Sequence, residues 1–198
     1  MKRNIAVFDF DGTLTTRDSF LAFIRYACGP WRYYIGFAWH APMLLLMLVG
    51  IYSHSKAKQR VFSHFFKGWK YSRFAELARE FSDEIDKMRN EQTISTLKEH
   101  VTNGDTVYIV SASLPEWIGP WSKTLGIKSV LATEIEVNGE GIVTGQFKTK
   151  NCYGPEKVSR LLQVEPRREE YFLYAYGDSL GDKELIAFAD EGIMVNSQ

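Results

Sequence analysis

Cysteine and net charge are both scarce in this chain of 198 residues. Its two cysteines, Cys28 and Cys152, lie far apart and match no metal-ligand or redox spacing, which excludes a disulfide scaffold and favours a reducing cytosol. Lysine plus arginine and aspartate plus glutamate number 24 each, so no broad basic field points to nucleic acid as a partner. Low-complexity tracts and internal repeats are absent as well. With 45% hydrophobic residues, the chain is long enough to bury one substantial core.

An apolar strand near the amino terminus runs directly into two carboxylates. Ile5 to Phe8 is unbroken hydrophobic sequence, which is typical of a strand buried on both faces of a parallel sheet. We expect Asp9 at the carboxyl end of that strand, where open α/β sheets place their active sites. Asp11 follows, and Gly12 allows a tight turn close to a ligand. Because the sequence enters this strand at once, we also expect no cleavable signal sequence and a cytoplasmic location.

A second acidic turn follows another strand-like run near the carboxyl end. The run from Tyr171 to Tyr176 leads to Asp178 and Asp182. Alone, an Asp-x-Asp pattern is as typical of a solvated turn, or of the nucleotide-metal ligands of glycosyltransferases, as it is of a catalytic pair. If the four carboxylates met at one sheet edge, a pair about 4 Å apart would repel by on the order of 4 kcal/mol at an effective dielectric of about 20. We therefore predict a cation there, and hard oxygen ligands favour Mg²⁺.

Two further segments carry groups that suit a phosphate. The strand-like run Thr106–Val110 ends at Ser111 and Ala112, where a hydroxyl and successive backbone amides could hold phosphate oxygens. Pro155 suits the first turn of a helix, which would direct Lys157 toward the same edge. Each residue alone has a simpler interpretation, a polar strand end for Ser111 and a solvated helical lysine for Lys157. The prediction depends on their order along the chain.

The ordered motifs Asp-x-Asp-Gly-Thr, strand-Ser, Lys and Gly-Asp-Ser-x-x-Asp resemble those of the haloacid dehalogenase-like superfamily, specifically its phosphoserine phosphatase-like branch. The resemblance implies an α/β fold with a Rossmann-like parallel sheet and a helical C1 cap over the active site. It implies a catalytic core of residues 1–15 and 100–198 and a cap insertion of residues 16–99. Because a second aspartate at the place of Asp11 marks the phosphate-handling members, a dehalogenase reaction is not expected.

The same resemblance implies a phosphomonoesterase that works through an aspartyl-phosphate. Asp9 would attack phosphorus, and Asp11 would protonate the leaving oxygen before activating water. The implied phosphate contacts are Gly12, Ser111, Ala112 and Lys157, and the implied Mg²⁺ ligands are Asp9, the backbone carbonyl of Asp11 and Asp178, with Asp182 supporting the metal from outside or through water.

The remaining pattern predicts an alternating α/β order with right-handed crossovers. Turn residues at Asn138-Gly139 and Glu140-Gly141, within alternating sequence, predict a hairpin beside the main sheet between Ala132 and Phe147. The predicted strands lie near residues 4–9, 107–111, 128–132, 171–176 and 192–195, and the predicted helices near residues 91–103, 115–126, 155–163 and 180–190.

The insertion contains a long uncharged segment, Tyr33 to Tyr52, which has no Asp, Glu, Lys or Arg. It is long enough to span a bilayer, but Gly36, His40, Pro42 and Gly50 disfavour a spanning helix. Motifs on both sides of the insertion must also share one compartment. Two interpretations stay open: a helical hairpin packed inside the cap, or a surface segment that dips into one leaflet at the inner face of the membrane.

The cap is expected to select the substrate, and two of its residues are candidates for binding it. Asp18 stands where phosphoserine phosphatases carry an acid, and Arg60 resembles the cap arginine that holds the substrate carboxylate in that family. The apolar insertion and the sequence around Lys157 look closer to the bacterial phosphatidylglycerophosphatase C-type group. A lipid phosphomonoester therefore ranks slightly ahead of phosphoserine or another small soluble phosphate. Phosphoryl transfer to another acceptor and, more remotely, a phospho-acceptor signalling module are the alternatives, and Asp11 argues against the last.

Overall fold

The computed structural model describes residues 2–127 and 129–195, and a parallel β-sheet lies at its centre. The strands are β1 (Arg3–Phe8), β2 (Thr106–Ser111), β3 (Ser129–Ala132), β4 (Ile135–Val137), β5 (Val143–Phe147), β6 (Tyr171–Gly177) and β7 (Glu191–Met194). Five of them form the main sheet in the order β3-β2-β1-β6-β7, with every neighbouring pair parallel. The predicted α/β fold is therefore confirmed.

Helices cover both faces of this sheet and form the insertion between β1 and β2. They are α1 (Ser19–Cys28), α2 (Pro30–Leu48), α3 (His54–Phe66), α4 (Tyr71–Ser82), α5 (Glu91–Thr102), α6 (Pro115–Thr124), α7 (Pro155–Val164) and α8 (Lys183–Phe188). Short helical turns at Phe10–Leu14, Ile85–Met88, Arg168–Glu170 and Leu180–Asp182 complete the chain.

Alternate residues of β1 point to opposite faces of the sheet, as the period of a strand requires. Ala6 and Phe8 belong to the core on the side of α5 and α6, whereas Ile5 and Val7 pack on the side of α7 and α8. All four side chains are fully buried. Because both faces are covered, the strand can be hydrophobic without alternation, and its end projects toward one edge of the sheet.

Helices α1 to α4 form a cap, and side chains of α1, α3 and α4 make its interior aromatic. The ring of Phe23 packs against Phe66, Phe74 and Phe81, with centroid distances of 5.3 to 5.5 Å. It also contacts Trp117 of α6 at 4.7 Å. The apolar interior of the cap is thus continuous with that of the catalytic core.

The predicted hairpin forms, as the antiparallel pair β4 and β5, but it belongs to a separate two-stranded sheet and packs on the cap. The Gly68 N–H donates to the Val143 carbonyl, and the Val143 N–H donates to the Trp69 carbonyl, both at 2.9 Å. Phe147 stacks near Phe62 of α3 at 5.4 Å. The hairpin therefore lies outside the main sheet, as predicted, and the edge of β5 pairs with the segment that follows α3.

The interpretation of Tyr33 to Tyr52 as a packed helical hairpin is wrong. The segment lies mostly in the single helix α2, which continues through Pro42 to Leu48, and only Gly36 of this helix is buried. Gly36 fits against Phe65 of α3, since a Cβ atom there would lie 2.3 Å from that ring. Within the described ranges, no helix combines the length and apolarity needed to cross a bilayer.

Two boundaries differ from the sequence pattern. The predicted helix 180–190 begins as the turn Leu180–Asp182 and continues as the shorter helix α8. Position 128, which belongs to a predicted strand, and residues 1 and 196–198 lie outside the described residues. The expected limit of the cap at residue 99 falls inside α5, which packs on the sheet through Ile94 and Leu97. We therefore propose that the cap ends before Asn90, the residue that caps α5.

Candidate active site

Asp9 lies at the carboxyl end of β1, between the ends of two other strands. Its N–H donates to the Tyr176 carbonyl at 2.9 Å, which extends the pairing of β1 with β6 by one residue. Ser111 ends β2 on the other side, and Asp178 follows β6. The Asp9 side chain is almost fully buried. Parallel pairing thus brings the three predicted motifs to one edge.

Gly12 is required by the close approach of Asp178 to the turn after β1. Its φ of +79° lies in the left-handed region, and a Cβ atom there would stand 2.1 Å from Asp178 Oδ2. Thr13 Oγ1 donates to Asp178 Oδ1 at 3.2 Å, so the same turn orients this carboxylate. The glycine and threonine of the first motif therefore position an acid from the last motif.

Asp182 is buried and its carboxylate is held by donors on several sides. Its Oδ2 accepts hydrogen bonds from the Ser179 hydroxyl at 2.9 Å and from the backbone N–H groups of Ser179 and Asp178 at 3.1 and 3.3 Å. Its Oδ1 accepts from Lys157 Nζ at 2.5 Å. These contacts make Asp182 an organiser of the loop that carries Asp178.

Lys157 connects the first and last motifs. It lies in the first turn of α7, which opens with Pro155, and its ammonium is 2.7 Å from Asp9 Oδ1 as well as being bonded to Asp182. The side chain is 2% exposed, so this is a buried charge that requires its two carboxylate partners. The structure therefore places Lys157 at the sheet edge and not on a solvated helix face.

The acidic cluster carries more negative charge than Lys157 can balance. Asp9, Asp178 and Asp182 each offer an oxygen, and these three oxygens lie within 4.8 Å of one another. Three carboxylates opposed by one ammonium suit a small divalent cation with oxygen ligands. Because Asp182 already accepts several hydrogen bonds, Asp9 and Asp178 have more lone pairs available for such an ion.

The pKa values of the cluster reflect this burial and crowding. Burial raises the pKa of Asp9 to about 7, with Asp182 and Asp11 adding to the rise and Lys157 opposing it. Burial and the charge of Asp182 also raise the pKa of Asp178. Although burial alone lowers the pKa of Lys157, the charges of Asp9 and Asp182 outweigh it and the pKa rises. A bound divalent cation would favour the ionised form of both aspartates.

Asp11 is oriented by two serines that the sequence motifs did not identify as functional. Its Oδ1 accepts from the Ser19 N–H at 2.7 Å, and its Oδ2 accepts from the Ser113 hydroxyl. Ser19 is the first residue of α1, so the acid is attached to the start of the cap. A serine two positions after Ser111 was visible in the sequence, but nothing there indicated that it faces Asp11.

Ser111 and Ala112 lie where the strand β2 turns into the loop before α6. Ser111 is buried, and its Oγ accepts from the Ser113 N–H at 3.0 Å, so its own proton is available to a ligand. Ala112 lines the cavity described next. Ala112, the residue after Ser111, thus lines the same cavity as Asp9 and Asp178.

A cavity of about 700 Å³ lies between the core and the cap. Its inner end is polar and includes Asp9, Asp11, Lys157 and Asp178. Its outer wall comes from the cap and is apolar, formed by Phe20, Leu21, Phe37, Leu44, Met47, Leu48, Ala57 and Val61.

The two predicted cap residues fall in different places. Asp18 lines the cavity, although its carboxylate also caps α1 by accepting from the Leu21 N–H at 2.8 Å. Arg60 lies on the exposed face of α3 and does not line the cavity, so its predicted contact with substrate is not supported. Lys58, which the sequence analysis missed, does line it, with Nζ 4.8 Å from the ring centroid of Phe20. The buried positions Ala57 and Val61 mark the inward face that Lys58 borders.

Comparison with known proteins places this geometry in a family. The sequence model of the haloacid dehalogenase-like hydrolases matches residues 6–187. The protein CicA of Caulobacter vibrioides is 30% identical over 94% of this chain and 83% of its own length. A probable phosphatase of Mycobacterium tuberculosis is 26% identical over 98% of this chain and 69% of its own length. The fold is similar to that of a phosphoserine phosphatase solved as a phospho-aspartyl intermediate analogue, with a TM-score of 0.65, 19% identity and coverage of 96% of this chain and 84% of that one.

Proposed function

We propose that this chain, which belongs to the haloacid dehalogenase-like hydrolases and is a phosphatase, hydrolyses phosphomonoesters with Mg²⁺ through an aspartyl-phosphate on Asp9. One observation carries the proposal. A buried aspartate at the end of β1 lies in a cavity together with a second aspartate, an ion-paired lysine and an acidic cluster suited to a cation. A nucleophile, a proton carrier and charge-stabilising groups are what phosphoryl transfer needs.

In the first step, a carboxylate oxygen of Asp9 forms a bond to phosphorus. The bond from phosphorus to the ester oxygen breaks, and that oxygen takes a proton from Asp11 as it leaves with the bonding electron pair. Asp9 suits this role because one of its oxygens is bound to Lys157, which leaves the other available for attack. The leaving alcohol then departs and Asp11 is ionised.

In the second step, Asp11 removes a proton from a water molecule that attacks the same phosphorus. The bond between phosphorus and Asp9 breaks, Asp9 returns as a carboxylate, and Asp11 regains its proton. One residue therefore serves as acid and then as base, which requires its carboxyl group to stay in one place through both steps. The hydrogen bonds from Ser19 and Ser113 are consistent with that requirement.

The phosphoryl group would be held by groups from three motifs. We assign Ser111 and Ala112, the turn at Gly12 and the ammonium of Lys157 to its oxygens, since Gly12, Ala112 and Lys157 line the cavity and Ser111 comes directly before Ala112. Asp9, the backbone carbonyl of Asp11 and Asp178 would hold Mg²⁺, with Asp182 outside them. The bound ion would supply positive charge that offsets the charge of the phosphoryl group.

The apolar wall of the cavity supports an ester with an apolar body, and we rank a lipid phosphate such as phosphatidylglycerophosphate first. Leu44, Met47 and Leu48 line the cavity at the end of α2, and Leu48 is also 73% exposed. The wall therefore continues onto the surface of the molecule without a polar rim at that point. A phosphate whose ester group remains partly in an apolar phase could enter there.

We further propose that α2 contacts the inner face of a membrane from the cytoplasm. We define the apolar face of α2 as the large, strongly exposed side chains on α2 and the turn after it. Its members are Trp31, Tyr34, Ile35, Trp39, Leu45, Leu46, Leu48, Val49 and Ile51, each at least 44% exposed. Tryptophan and tyrosine at one end and aliphatic residues at the other suit an interfacial helix. The arginines Arg25 and Arg32 are exposed before the uncharged segment, where they could meet anionic lipid.

A phosphorylated amino acid or another small soluble phosphate is the second candidate. Asp18 and Lys58 place opposite charges on the cap side of the cavity, and such a pair could bind a zwitterionic substrate. A phosphoserine-like ester would therefore find partners even though Arg60 is not among them. Transfer of the phosphoryl group to an alcohol in place of water would use the same intermediate on Asp9.

The test is Mg²⁺-dependent phosphate release by the purified chain from phosphoserine, sugar phosphates, nucleotides and phosphatidylglycerophosphate in mixed micelles. We expect release to require Mg²⁺, to be fastest with the lipid, and to fall at least about 1,000-fold in Asp9→Asn, which lacks the nucleophile. With 4-nitrophenyl phosphate, whose leaving group needs no proton, the Asp11→Asn chain should still become phosphorylated on Asp9 but fail to turn over. Release that persists in Asp9→Asn would contradict the covalent route, and selective release from phosphoserine would favour the second candidate.

A further inference from the structure

A chain of hydrogen bonds runs from the indole of Trp117 to the carboxylate of Asp11. Trp117 Nε1 donates to Ser19 Oγ at 3.0 Å, Ser19 Oγ lies 3.3 Å from Ser113 Oγ, and the Ser113 hydroxyl donates to Asp11 Oδ2. Trp117, Ser19 and Ser113 are all fully buried. The three residues come from α6, the first position of α1 and the loop after β2, so the chain joins the cap to the core.

The direction of these hydrogen bonds is fixed at both ends. An indole N–H can only donate, and while Asp11 is ionised its carboxylate can only accept, so Ser113 directs its single proton to Asp11. Ser19 therefore accepts from Trp117 and has its own proton available for Ser113. Every donor in the chain points toward Asp11, whose other oxygen receives the Ser19 N–H. Both oxygens are thus held in place as acceptors.

Because Ser19, Ser113 and Trp117 are buried, these contacts leave the Asp11 carboxylate little freedom to rotate. We infer that Ser113, supported by Ser19 and Trp117, is a positioning residue that holds Asp11 where it can act as acid and then as base. This inference rests on the proposed function of Asp9 and Asp11. It adds residues from outside the four motifs, and it makes the proton carrier depend on the contact between α1 and α6.

Leaving-group chemistry separates positioning of Asp11 from general damage to the site. An alkoxide leaving group needs a proton in the first step, whereas 4-nitrophenolate is stable without one. Both substrates need the base in the second step. A chain with a displaced Asp11 should therefore lose the first step with octyl phosphate. With 4-nitrophenyl phosphate it should keep the first step, lose the second and accumulate phosphorylated Asp9.

The experiment compares Ser113→Ala with the unchanged chain on these two substrates, in the steady state and in the first turnover. We expect octyl phosphate turnover to fall about 100-fold without a burst. With 4-nitrophenyl phosphate we expect a burst of nitrophenolate close to the enzyme concentration and covalent phosphate on Asp9. Trp117→Phe, which keeps an aromatic ring and removes the N–H, should show the same pattern more weakly.

Ser122→Ala is the matched control, because it also removes a buried serine hydroxyl from the chain, in this case one that donates to the Gly119 carbonyl within α6. It should behave as the unchanged chain. Unchanged kinetics in Ser113→Ala, or equal losses on both substrates without a burst, would overturn the positioning role. Activity that survives in Asp9→Asn would instead overturn the proposed function, so the two failures are distinguishable.

Discussion

The inner end and the outer wall of the cavity are held together in different ways. At the inner end, Asp182 accepts several hydrogen bonds, Lys157 is enclosed by two carboxylates, and Gly12 leaves no space beside Asp178. The outer wall consists of apolar cap residues, and only one residue of α2 is buried. Polar networks tolerate few substitutions, whereas an apolar surface tolerates many.

This difference assigns the two parts of the reaction to two parts of the molecule. In the function that we propose, the inner end determines the chemistry, because the nucleophile, the proton carrier and the cation ligands need fixed geometry. We propose that the outer wall determines which ester enters, through its shape and hydrophobicity. Changes at the inner end should therefore abolish turnover on every substrate, while changes on the apolar face of α2 should alter preference between substrates.

Gly12→Ala should have the largest effect, because it places a methyl group 2.1 Å from Asp178 Oδ2 and strains a backbone with φ of +79°. We expect phosphate release to fall at least about 1,000-fold on all substrates, because the Asp178 carboxylate would be pushed out of its position. Gly104→Ala is the matched control, since Gly104 has the same φ of +79° but nothing within 4 Å of the added Cβ. The measurement is kcat and Mg²⁺ dependence for both chains. Similar losses in both chains would mean that backbone strain, and not the contact with Asp178, causes the loss of activity in Gly12→Ala.

The inner end could be predicted from sequence because its residues follow strands at fixed positions. Asp9, Ser111 and Asp178 each come directly after a run of buried apolar residues, and parallel pairing brings such ends together whatever the loops do. The alternation of strands and helices outside the cap follows from the same pattern, which predicted α5, α6 and α7 near their observed positions. Lys157 could be placed because Pro155 marks the start of its helix.

The cap could not be predicted in the same detail. Its helices carry apolar residues on more than one side, so tertiary contacts decide which side of each helix faces the cavity. Arg60 and Lys58 are two residues apart on α3, and only the packed structure shows that Lys58 faces the cavity. An uncharged segment such as Tyr33 to Tyr52 carries no charged face to orient it, so its composition fitted both a packed helical hairpin and a surface segment that dips into one leaflet. The link between Ser113 and Asp11 depends on side-chain rotamers, which strand patterns do not specify.

The acidic cluster should make stability depend on pH when no divalent cation is added. Burial raises the pKa of Asp9 from 3.8 to about 7, so the folded chain retains a proton that the unfolded chain loses. Stability is therefore greatest below pH of about 4 for this group and falls as the pH rises to about 7, by on the order of a few kcal/mol. Asp9→Asn should remove that part of the dependence.

Thermal unfolding at pH 5 and pH 8, with and without Mg²⁺, measures this effect. Mg²⁺ should raise the Tm of the unchanged chain more at pH 8 than at pH 5, because it binds the ionised carboxylates. Asp178→Asn should reduce this increase in Tm, since Asp178 is one of the proposed Mg²⁺ ligands. The difference between the unchanged chain and Asp9→Asn isolates Asp9 from Glu116, whose pKa burial also raises to about 7. A Tm difference between these chains that does not vary with pH would contradict the assignment to Asp9.

The smallest expected effect belongs to the apolar face of α2, and it should appear in preference and not in chemistry. Trp39 and Leu45 are 79% and 63% exposed and do not line the cavity, so Trp39→Ser with Leu45→Ser should leave kcat on a soluble phosphate unchanged within about twofold. Activity on phosphatidylglycerophosphate in anionic vesicles should fall at least about thirtyfold, because each of the two lost side chains removes about 1 to 2 kcal/mol of interfacial binding. Val164→Ser, an exposed apolar residue on α7, is the matched control and should change neither activity.

If the double variant lost both activities equally, α2 would support the cap fold and the comparison between the two ends of the cavity would fail. If it lost neither, the lipid would have to reach the inner end without contact through α2.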